Sequence, residues 1–229
     1  MTASDQFTLS LPHREVLGRE DFLCSEANAE ALAIVEAWEQ WPGRRLALIG
    51  PPRSGKTHLA HVWMAATGAV VAEARTLGLA DPAPLAAARF VVVENADRLG
   101  DARTAEDALF HLYNLMAAEG GHLLLTARSA PTAWPLATPD LASRVQSLAL
   151  ARIQPPDDTL LSSVLIKLFR DRQIDVSPDV VRFLAKRMDR SFAAAESIVA
   201  KLDGLSLTRK RPVTRAMAAE VLGDGAAAE

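Results

Sequence analysis

The chain has 229 residues, of which 49% are apolar and 23% are charged, and this ordinary globular composition excludes a disordered or fibrous chain. Its formal net charge of −3 argues against a broad surface for nonspecific nucleic-acid binding, although it is compatible with a local basic patch. The single cysteine, Cys24, rules out an internal disulfide framework. The sequence has no signal-peptide pattern, and no apolar run approaches the ~18 residues needed to span a membrane. These features predict a cytoplasmic protein without a membrane partner.

The first segment in chain order, residues 1–18, lacks helical periodicity and is predicted to be a flexible tail. Within it, Gln6 precedes an alternation of apolar residues at Phe7, Leu9 and Leu11. Such alternation is typical of an edge strand, and also of a linear motif whose side chains enter a partner's groove. The residues alone leave both interpretations open.

Residues 19–153 alternate between short apolar runs and amphipathic stretches, which predicts a parallel α/β domain with helices on both faces of its sheet. A helix is predicted from Ser25, as its N-cap, through Trp38. The predicted strands are Leu46–Ile49, Ala69–Ala72, Arg89–Val93, His122–Thr126 and Val145–Leu150. The helices predicted between them are His58–Ala66 and Ala105–Ala118.

The prolines at 155 and 156 mark a boundary, after which the pattern is helical throughout. Residues 154–223 are therefore predicted to form a small helical domain, and residues 224–229 a frayed tail. Its predicted helices are Asp157–Arg170, Pro178–Arg187, Ser191–Leu202 and Thr214–Leu222.

The stretch that organises the first domain is a phosphate-binding loop of the pattern G-x-x-x-x-G-K-[ST], between a strand and a helix. Backbone amides and the helix N-terminus would surround phosphates, Lys56 would reach the β- and γ-phosphates, and the Thr57 hydroxyl would hold Mg²⁺. The alternative is a glycine turn with an exposed lysine, which the flanking elements disfavour. The predicted loop residues are Gly50, Pro51, Pro52, Arg53, Ser54, Gly55, Lys56 and Thr57.

A phosphate loop requires a carboxylate on a neighbouring strand to order Mg²⁺ and its waters, and Glu94 at the end of the third strand is the candidate. The next position is Asn95, which can orient a water but cannot accept its proton at neutral pH. Asp97 is expected to lie beyond the strand end and is not assigned this role. The chain is therefore expected to bind nucleotide well and to hydrolyse it slowly.

Three further residues are candidates for contact with a γ-phosphate. Thr126, at the end of the fourth strand, would be a polar sensor, or else an ordinary β-branched strand residue. Arg144 lies away from its own loop in this topology and would reach a nucleotide bound by a neighbouring subunit, or else be a solvated surface arginine. Arg190, before a helix of the second domain, would reach the nucleotide in cis, or else pair with nearby charges.

Together these parts resemble the AAA+ ATPases, in which a three-layer αβα sandwich with a five-stranded parallel sheet carries a small helical lid. Within that class the chain is similar to the DnaA branch on four motifs. These are D-F-L-C-S-E-A-N-A-E-A from residue 21, G-K-T-H-L from 55, L-L-L-T from 123 and D-L-A-S-R-V from 140. The resemblance implies that Phe22 and Leu23 lie over the adenine, that His58 belongs to the nucleotide site, and that Arg144 is an arginine finger.

The tail motif and the AAA+ unit, with no helix-turn-helix domain after it, resemble the Hda family of regulatory inactivators of DnaA. That resemblance implies that Gln6, Phe7, Leu9 and Leu11 bind the sliding clamp, the β subunit of DNA polymerase III. DNA would be reached only indirectly, through the clamp. Arg144 would act in trans on ATP-bound DnaA and so prevent re-initiation. The chain itself would bind ADP or ATP with Mg²⁺ and would hydrolyse ATP only weakly. The sequence leaves open whether the chain forms a nucleotide-dependent homodimer.

Two rival functions belong to other classes. A DnaA-branch helicase loader would hydrolyse ATP itself and hold single-stranded DNA, and Asn95 and the net charge count against it. A non-enzymatic adaptor would use nucleotide only as a structural ligand, and would not need Arg144. Direct sequence-specific DNA binding is disfavoured, and the short basic run of residues 209–211 is interpreted as a solvated loop.

Overall fold

The computed structural model describes residues 18–79, 81–99 and 103–225. The proposed clamp-binding residues Gln6, Phe7, Leu9 and Leu11 lie outside this part of the chain. The strands are β1 (Arg45–Ile49), β2 (Val70–Glu73), β3 (Phe90–Glu94), β4 (His122–Ala127) and β5 (Ala149–Arg152). The helices are α1 (Ala29–Glu36), α2 (Lys56–Thr67), α3 (Ala83–Ala87), α4 (Arg103–Ala118), α5 (Pro139–Gln146), α6 (Asp158–Asp171), α7 (Pro178–Ala185), α8 (Phe192–Arg209) and α9 (Arg215–Gly225).

The five strands form one parallel sheet in the order β2-β3-β4-β1-β5. Every strand therefore ends at the same edge, where the segments after β1, β3 and β4 meet. This is the edge at which open α/β sheets bind ligands, and it carries the phosphate loop here. The predicted five-stranded α/β fold is confirmed.

Alternating strand residues face two separate cores, as the period of two requires. Leu46 and Leu48 of β1 pack against α1 and α2, whereas Ala47 and Ile49 pack on the opposite side with α4 and α5. Helices thus cover both faces, which gives the three layers. As a result, the phosphate-loop helix and the helix that carries Arg144 lie on opposite faces of the sheet.

The C-terminal helices α6 to α9 enclose a core of their own, centred on fully buried residues such as Leu165, Phe169 and Leu202. Three of these helices begin after Asp or Ser, residue types that favour the N-cap position. The Asp157 carboxylate accepts the N–H of Leu160 at 2.7 Å, and the Ser191 hydroxyl accepts that of Ala194 at 3.1 Å. Ser177 precedes α7 without a side-chain capping bond.

Several element boundaries differ from those predicted: α8 continues to Arg209 instead of ending at Leu202, and two further differences concern Val145 and Ser25. The predicted fifth strand began at Val145, but Val145 is buried in α5 and the strand begins only at Ala149. The predicted cap Ser25 lies in a turn instead, where its N–H donates to the Asn28 side chain at 2.9 Å, and Asn28 precedes α1. Val145 is held in α5 by packing against the sheet, whereas Ser25 makes local hydrogen bonds before α1, where its hydroxyl accepts the N–H of Ala27 at 3.2 Å.

Over the described ranges, no helix is both long enough and apolar enough to span a bilayer.

Candidate functional site

The phosphate loop folds tightly between β1 and α2. Gly55 precedes α2 with φ 95°, a left-handed conformation that favours glycine, and Arg53 also has a positive φ of 59°. A Cβ at Gly50 would lie 2.9 Å from both the Ile153 carbonyl oxygen and Ser54 Oγ, so the first glycine is needed for close packing. These conformations form the curved loop that the motif predicts.

Lys56, the first residue of α2, is buried with its amine turned onto its own loop. Nζ donates to the carbonyl oxygens of Gly50 at 2.8 Å and of Pro51 at 2.6 Å. Burial lowers the pKa of Lys56 to about 8, although the nearby Asp97 carboxylate acts in the opposite direction. A desolvated cation therefore lies at the position where the motif binds phosphate, and it is held there by neutral oxygens of its own loop.

Two carboxylates, one on the last residue of β3 and one in the turn after it, face this lysine. Glu94 Oε1 and Asp97 Oδ1 are buried, and neither has a hydrogen-bond partner among the residues the structure describes. The other oxygen of Asp97 accepts the backbone N–H of Arg128, which follows β4, at 3.0 Å. Anionic oxygens that are buried without donors are suited to a cation or its waters. Sequence analysis set Asp97 aside because it lies beyond the strand, and the structure brings it to the site.

The turn that positions Asp97 is made by Asn95, whose φ is 55°. Its side-chain Nδ2 donates to both carboxylate oxygens of Glu73, at 3.1 and 3.2 Å, and its backbone N–H donates to Thr126 Oγ1 at 3.2 Å. Glu73 ends β2, on the side of β3 opposite to β4 and β1, so the amide points away from the phosphate loop. Asn95 therefore supplies no base and does not point toward the loop.

The segment before α1 covers the start of α2. The Phe22 ring is buried, and a Cβ at Gly55 would lie 3.3 Å from it. His58 meets the same ring edge-on, with centroids 5.2 Å apart, and its Nε2 lies 2.8 Å from the Gly18 carbonyl oxygen. Leu23 is half-buried beside it. The structure thus brings Phe22, Leu23 and His58 next to the loop.

The remaining predicted residues are more exposed. Thr57 and Pro52 are exposed, and Pro51 is half-buried. The Arg53 guanidinium forms an ion pair with Glu196 of α8, which connects the loop to the helical domain. Their side chains border an open cavity of about 440 Å³, which is lined by Arg53, Arg172, Ala193, Glu196, Ser197 and Ala200.

Arg190, the candidate cis-acting arginine, makes its contact within the helical domain. Its guanidinium pairs with Asp158 of α6 at 2.9 Å, and both side chains are more than half exposed. The structure therefore does not bring Arg190 onto the loop, and its role in nucleotide binding stays a prediction.

Arg144 lies in the last turn of α5, on the surface, away from the phosphate-loop helix. Its guanidinium carbon is 5.5 Å from the ring centroids of both Phe110 and Tyr113, two residues of α4. It forms no ion pair with any residue in the described ranges. Aromatic faces hold the charged group without neutralising it, so it is free to meet an anion.

Comparison with known proteins finds one family match and a curated relative. Residues 158–222 match the family described as "Hda, lid domain". The chromosomal replication initiator protein DnaA of Thermomicrobium roseum is 26% identical over 135 residues, which is 59% of this chain and 29% of that protein. The chain thus aligns with less than a third of the length of this relative.

Solved structures share the fold. Domain III of the Thermotoga maritima replication initiation protein DnaA superposes with a TM-score of 0.75 at 20% identity, covering 93% of this chain and 98% of that one. The AMPPCP-bound DnaA of Aquifex aeolicus superposes with a TM-score of 0.66 at 18% identity, covering 83% and 67%. The lid-family match, the DnaA relative and the shared fold together support the resemblance of this chain to the Hda and DnaA branch of AAA+ proteins.

Proposed function

We propose that this chain regulates the initiation of replication by promoting hydrolysis of ATP bound to DnaA. Arg144 enters the partner's nucleotide site in trans, and the tail with Gln6, Phe7, Leu9 and Leu11 tethers the chain to the sliding clamp. The chain's own site holds ADP or ATP with Mg²⁺ and turns over slowly. The exposed guanidinium of Arg144, which forms no ion pair with the residues that the structure describes, is the observation that carries this proposal.

The residues of the chain's own site fit a nucleotide. Phosphate oxygens would replace the carbonyl partners of Lys56, and the loop amides with the N-terminus of α2 would surround them. Thr57 and Glu94 would hold Mg²⁺, which neutralises phosphate charge when bound, and Glu94 Oε1 is a buried oxygen that has no protein donor in the described part. The Aquifex relative carries a nucleotide analogue in the same fold.

The side chain next to Glu94 does not help this site to hydrolyse its nucleotide. A water needs a carboxylate near the γ-phosphate to accept its proton, and position 95, beside the proposed Mg²⁺ ligand Glu94, carries an amide that is turned toward Glu73. Slow turnover would keep the nucleotide in place as a structural ligand. This supports a division of labour in which the chain binds nucleotide in its own site and gives an arginine to another.

Arg144 has the features that a trans-acting arginine requires. A guanidinium that has no carboxylate partner need not break an ion pair before it meets a phosphate, and its planar donors match phosphate oxygens. Arginine fingers of this type accelerate hydrolysis by about 10³–10⁵-fold. The match of the C-terminal helices to the Hda lid family adds support for an inactivator of this class.

The decisive experiment measures hydrolysis of ATP preloaded on DnaA in the presence of DNA-loaded clamp. The wild-type chain is expected to stimulate hydrolysis, and Arg144→Ala is expected to lower the stimulated rate about a hundredfold or more. Arg144→Lys keeps the charge but not the planar fork and should fall between them. Arg170→Ala, which removes an exposed arginine of α6, is the matched control and should behave as wild type.

The tether is tested in the same assay by replacing Leu9 and Leu11 with alanine. A tether raises local concentration without adding chemistry, so the double variant should lose stimulation at low protein concentration and regain it at high concentration. Equal rates for wild type and Arg144→Ala would contradict the arginine-finger role. Absence of stimulation by the wild type at every concentration would overturn the inactivator function.

A further inference from the structure

The helix that carries Arg144 is held at its start by a buried carboxylate from α4. Glu106 is only 4% exposed, and its two oxygens accept the backbone N–H groups of Ala137 at 3.0 Å and Thr138 at 2.8 Å. Thr138 immediately precedes Pro139, the first residue of α5, and makes no side-chain capping bond of its own. Glu106, which belongs to a different helix, therefore fixes the two residues that lead into α5.

This carboxylate suits its position for two reasons. A helix N-terminus has unsatisfied N–H groups and a partial positive charge, both of which favour an anion. Burial raises the pKa of Glu106, but the N–H of Ala137, the hydroxyl and N–H of Thr138 and the charge of Arg103 together outweigh that effect and leave the pKa below its usual range. The group stays ionised, with both oxygens hydrogen-bonded.

The other end of α5 contacts the same helix. The Arg144 guanidinium lies over Phe110 and Tyr113, which follow Glu106 by four and seven residues. Residues at these spacings share one face of a helix. A single face of α4 therefore fixes both where α5 begins and where its arginine lies.

We propose that Glu106 is a positioning residue for Arg144, and that its two hydrogen bonds fix α5 so that the guanidinium is presented at a defined place on the surface. This inference rests on the proposed trans-acting role of Arg144. Displacement of a reacting group by about 1 Å can lower a rate by about 10²-fold, even when the change is remote from the chemistry. Loss of either bond should therefore slow the stimulated reaction without removing the arginine.

The test is Glu106→Gln, which keeps the shape but replaces one acceptor oxygen with a donor that faces a backbone N–H. The maximal stimulated rate should fall about 10- to 100-fold, while the concentration for half-maximal stimulation stays close to that of wild type. Asp107→Asn makes the same charge change at an exposed position of the same helix, and it should retain the wild-type rate.

A double variant separates positioning from a general loss of structure. If Glu106 acts through Arg144, adding Glu106→Gln to Arg144→Ala should cause no further loss of rate. A loss that multiplies with that of Arg144→Ala would overturn the proposal, as would an unchanged rate in Glu106→Gln alone.

Hydrogen exchange tests the anchor without reference to DnaA. In Glu106→Gln, exchange should accelerate in peptides that cover residues 137–146 and stay unchanged in those of β1 and α2. Unchanged exchange at 137–146 would overturn the anchoring role. If the wild type does not stimulate DnaA but the exchange difference is present, the proposed function fails while Glu106 is retained as the anchor of α5.

Discussion

Buried carboxylate oxygens lack hydrogen-bond donors at the edge of the sheet but have them at the junction of α4 with α5. Glu94 and Asp97 each keep a buried oxygen with no hydrogen-bond donor in the described chain, whereas both oxygens of Glu106 accept backbone N–H groups. An unsatisfied buried anion costs free energy, so it is retained where a ligand can complete it. The satisfied carboxylate holds structure, and the unsatisfied pair marks a site for a ligand.

The strongest way to break this contrast is to place a carboxylate at position 95, beside Glu94. In Asn95→Glu, repulsion from Glu73 should turn the new carboxylate away from β2 and toward the loop, and the chain's own ATP hydrolysis should rise about a hundredfold. Phosphate release by this chain alone is the measurement. Asn95→Gln, which adds length without a carboxylate, should leave the rate unchanged.

A second substitution checks the cause of that increase. When Glu73→Gln is added to Asn95→Glu, the amide introduced at the end of β2 can donate to the new carboxylate and hold it near that strand, so much of the gain should be lost. Equal rates in the single and double variants would show that the contact with β2 does not control this position.

The contrast between the two kinds of carboxylate can be sharpened by neutralising Glu94 at the sheet edge and Glu106 at the α4–α5 junction in separate variants. Glu94→Gln should leave the melting temperature of the nucleotide-free protein unchanged or raise it, because its buried oxygen has no described donor to lose and an unsatisfied buried anion is costly. Glu106→Gln should lower it by about 3–8 °C, which corresponds to about 1–3 kcal/mol. Differential scanning fluorimetry measures both.

In a nucleotide-binding assay Glu94→Gln, rather than Glu106→Gln, should have the larger effect. Mg²⁺ should strengthen binding of ADP to the wild type and to Glu106→Gln, but much less to Glu94→Gln. If Glu94→Gln destabilised the protein as much as Glu106→Gln and still bound Mg²⁺–ADP normally, the distinction between ligand-binding and anchoring carboxylates would be wrong.

His122 shows that a buried polar atom without a hydrogen-bond partner does not always mark a ligand site. Its Nε2 is buried and lacks a partner in the part of the chain that is described, but the ring stacks on Phe90, with centroids 5.2 Å apart, and meets Trp38 edge-on. Burial, followed by the charge of Arg44, lowers the pKa of His122. This atom belongs to an aromatic core rather than to an open site.

The pH dependence of stability follows from that shift. Because the folded protein disfavours the charged ring, the unfolded chain binds more protons below pH ~6.5, and the free energy of unfolding falls as pH drops. The slope from this residue cannot exceed about 1.4 kcal/mol per pH unit. Denaturant unfolding between about pH 7 and 5 should show a smaller decrease in His122→Phe, whereas the exposed His111→Phe should match wild type. Identical slopes in all three proteins would contradict the assignment.

Much of the sheet edge was predictable from sequence. The motif around Lys56 fixes a strand, a loop and a helix, and the apolar run before Glu94 identifies its strand. Asp97 was not predictable as part of the site, because its position depends on the left-handed conformation of Asn95. A strand followed by Asn, with an acid two residues later, is the signal that would have indicated a turn back toward the site.

The α4–α5 junction was much less predictable. Arg144 could be selected by motif, but local pattern assigned its neighbour Val145 to a strand. Glu106 and the N–H of Ala137 are 31 residues apart, and no periodicity of either segment encodes their hydrogen bond. Pairing of this kind is set by how α4 and α5 pack, which is tertiary information.

The buried amine of Lys56 has a consequence for the thermodynamics of ligand binding. With a pKa of about 8, the lysine of the free protein carries its proton only about half the time at pH 8. Phosphate stabilises the charged form, so nucleotide binding at that pH takes up about half a proton from the buffer. Calorimetric heats in Tris and in HEPES should therefore differ by the corresponding fraction of the difference between the buffers' ionisation enthalpies. The two heats should converge near pH ~6.5, where the amine is already charged.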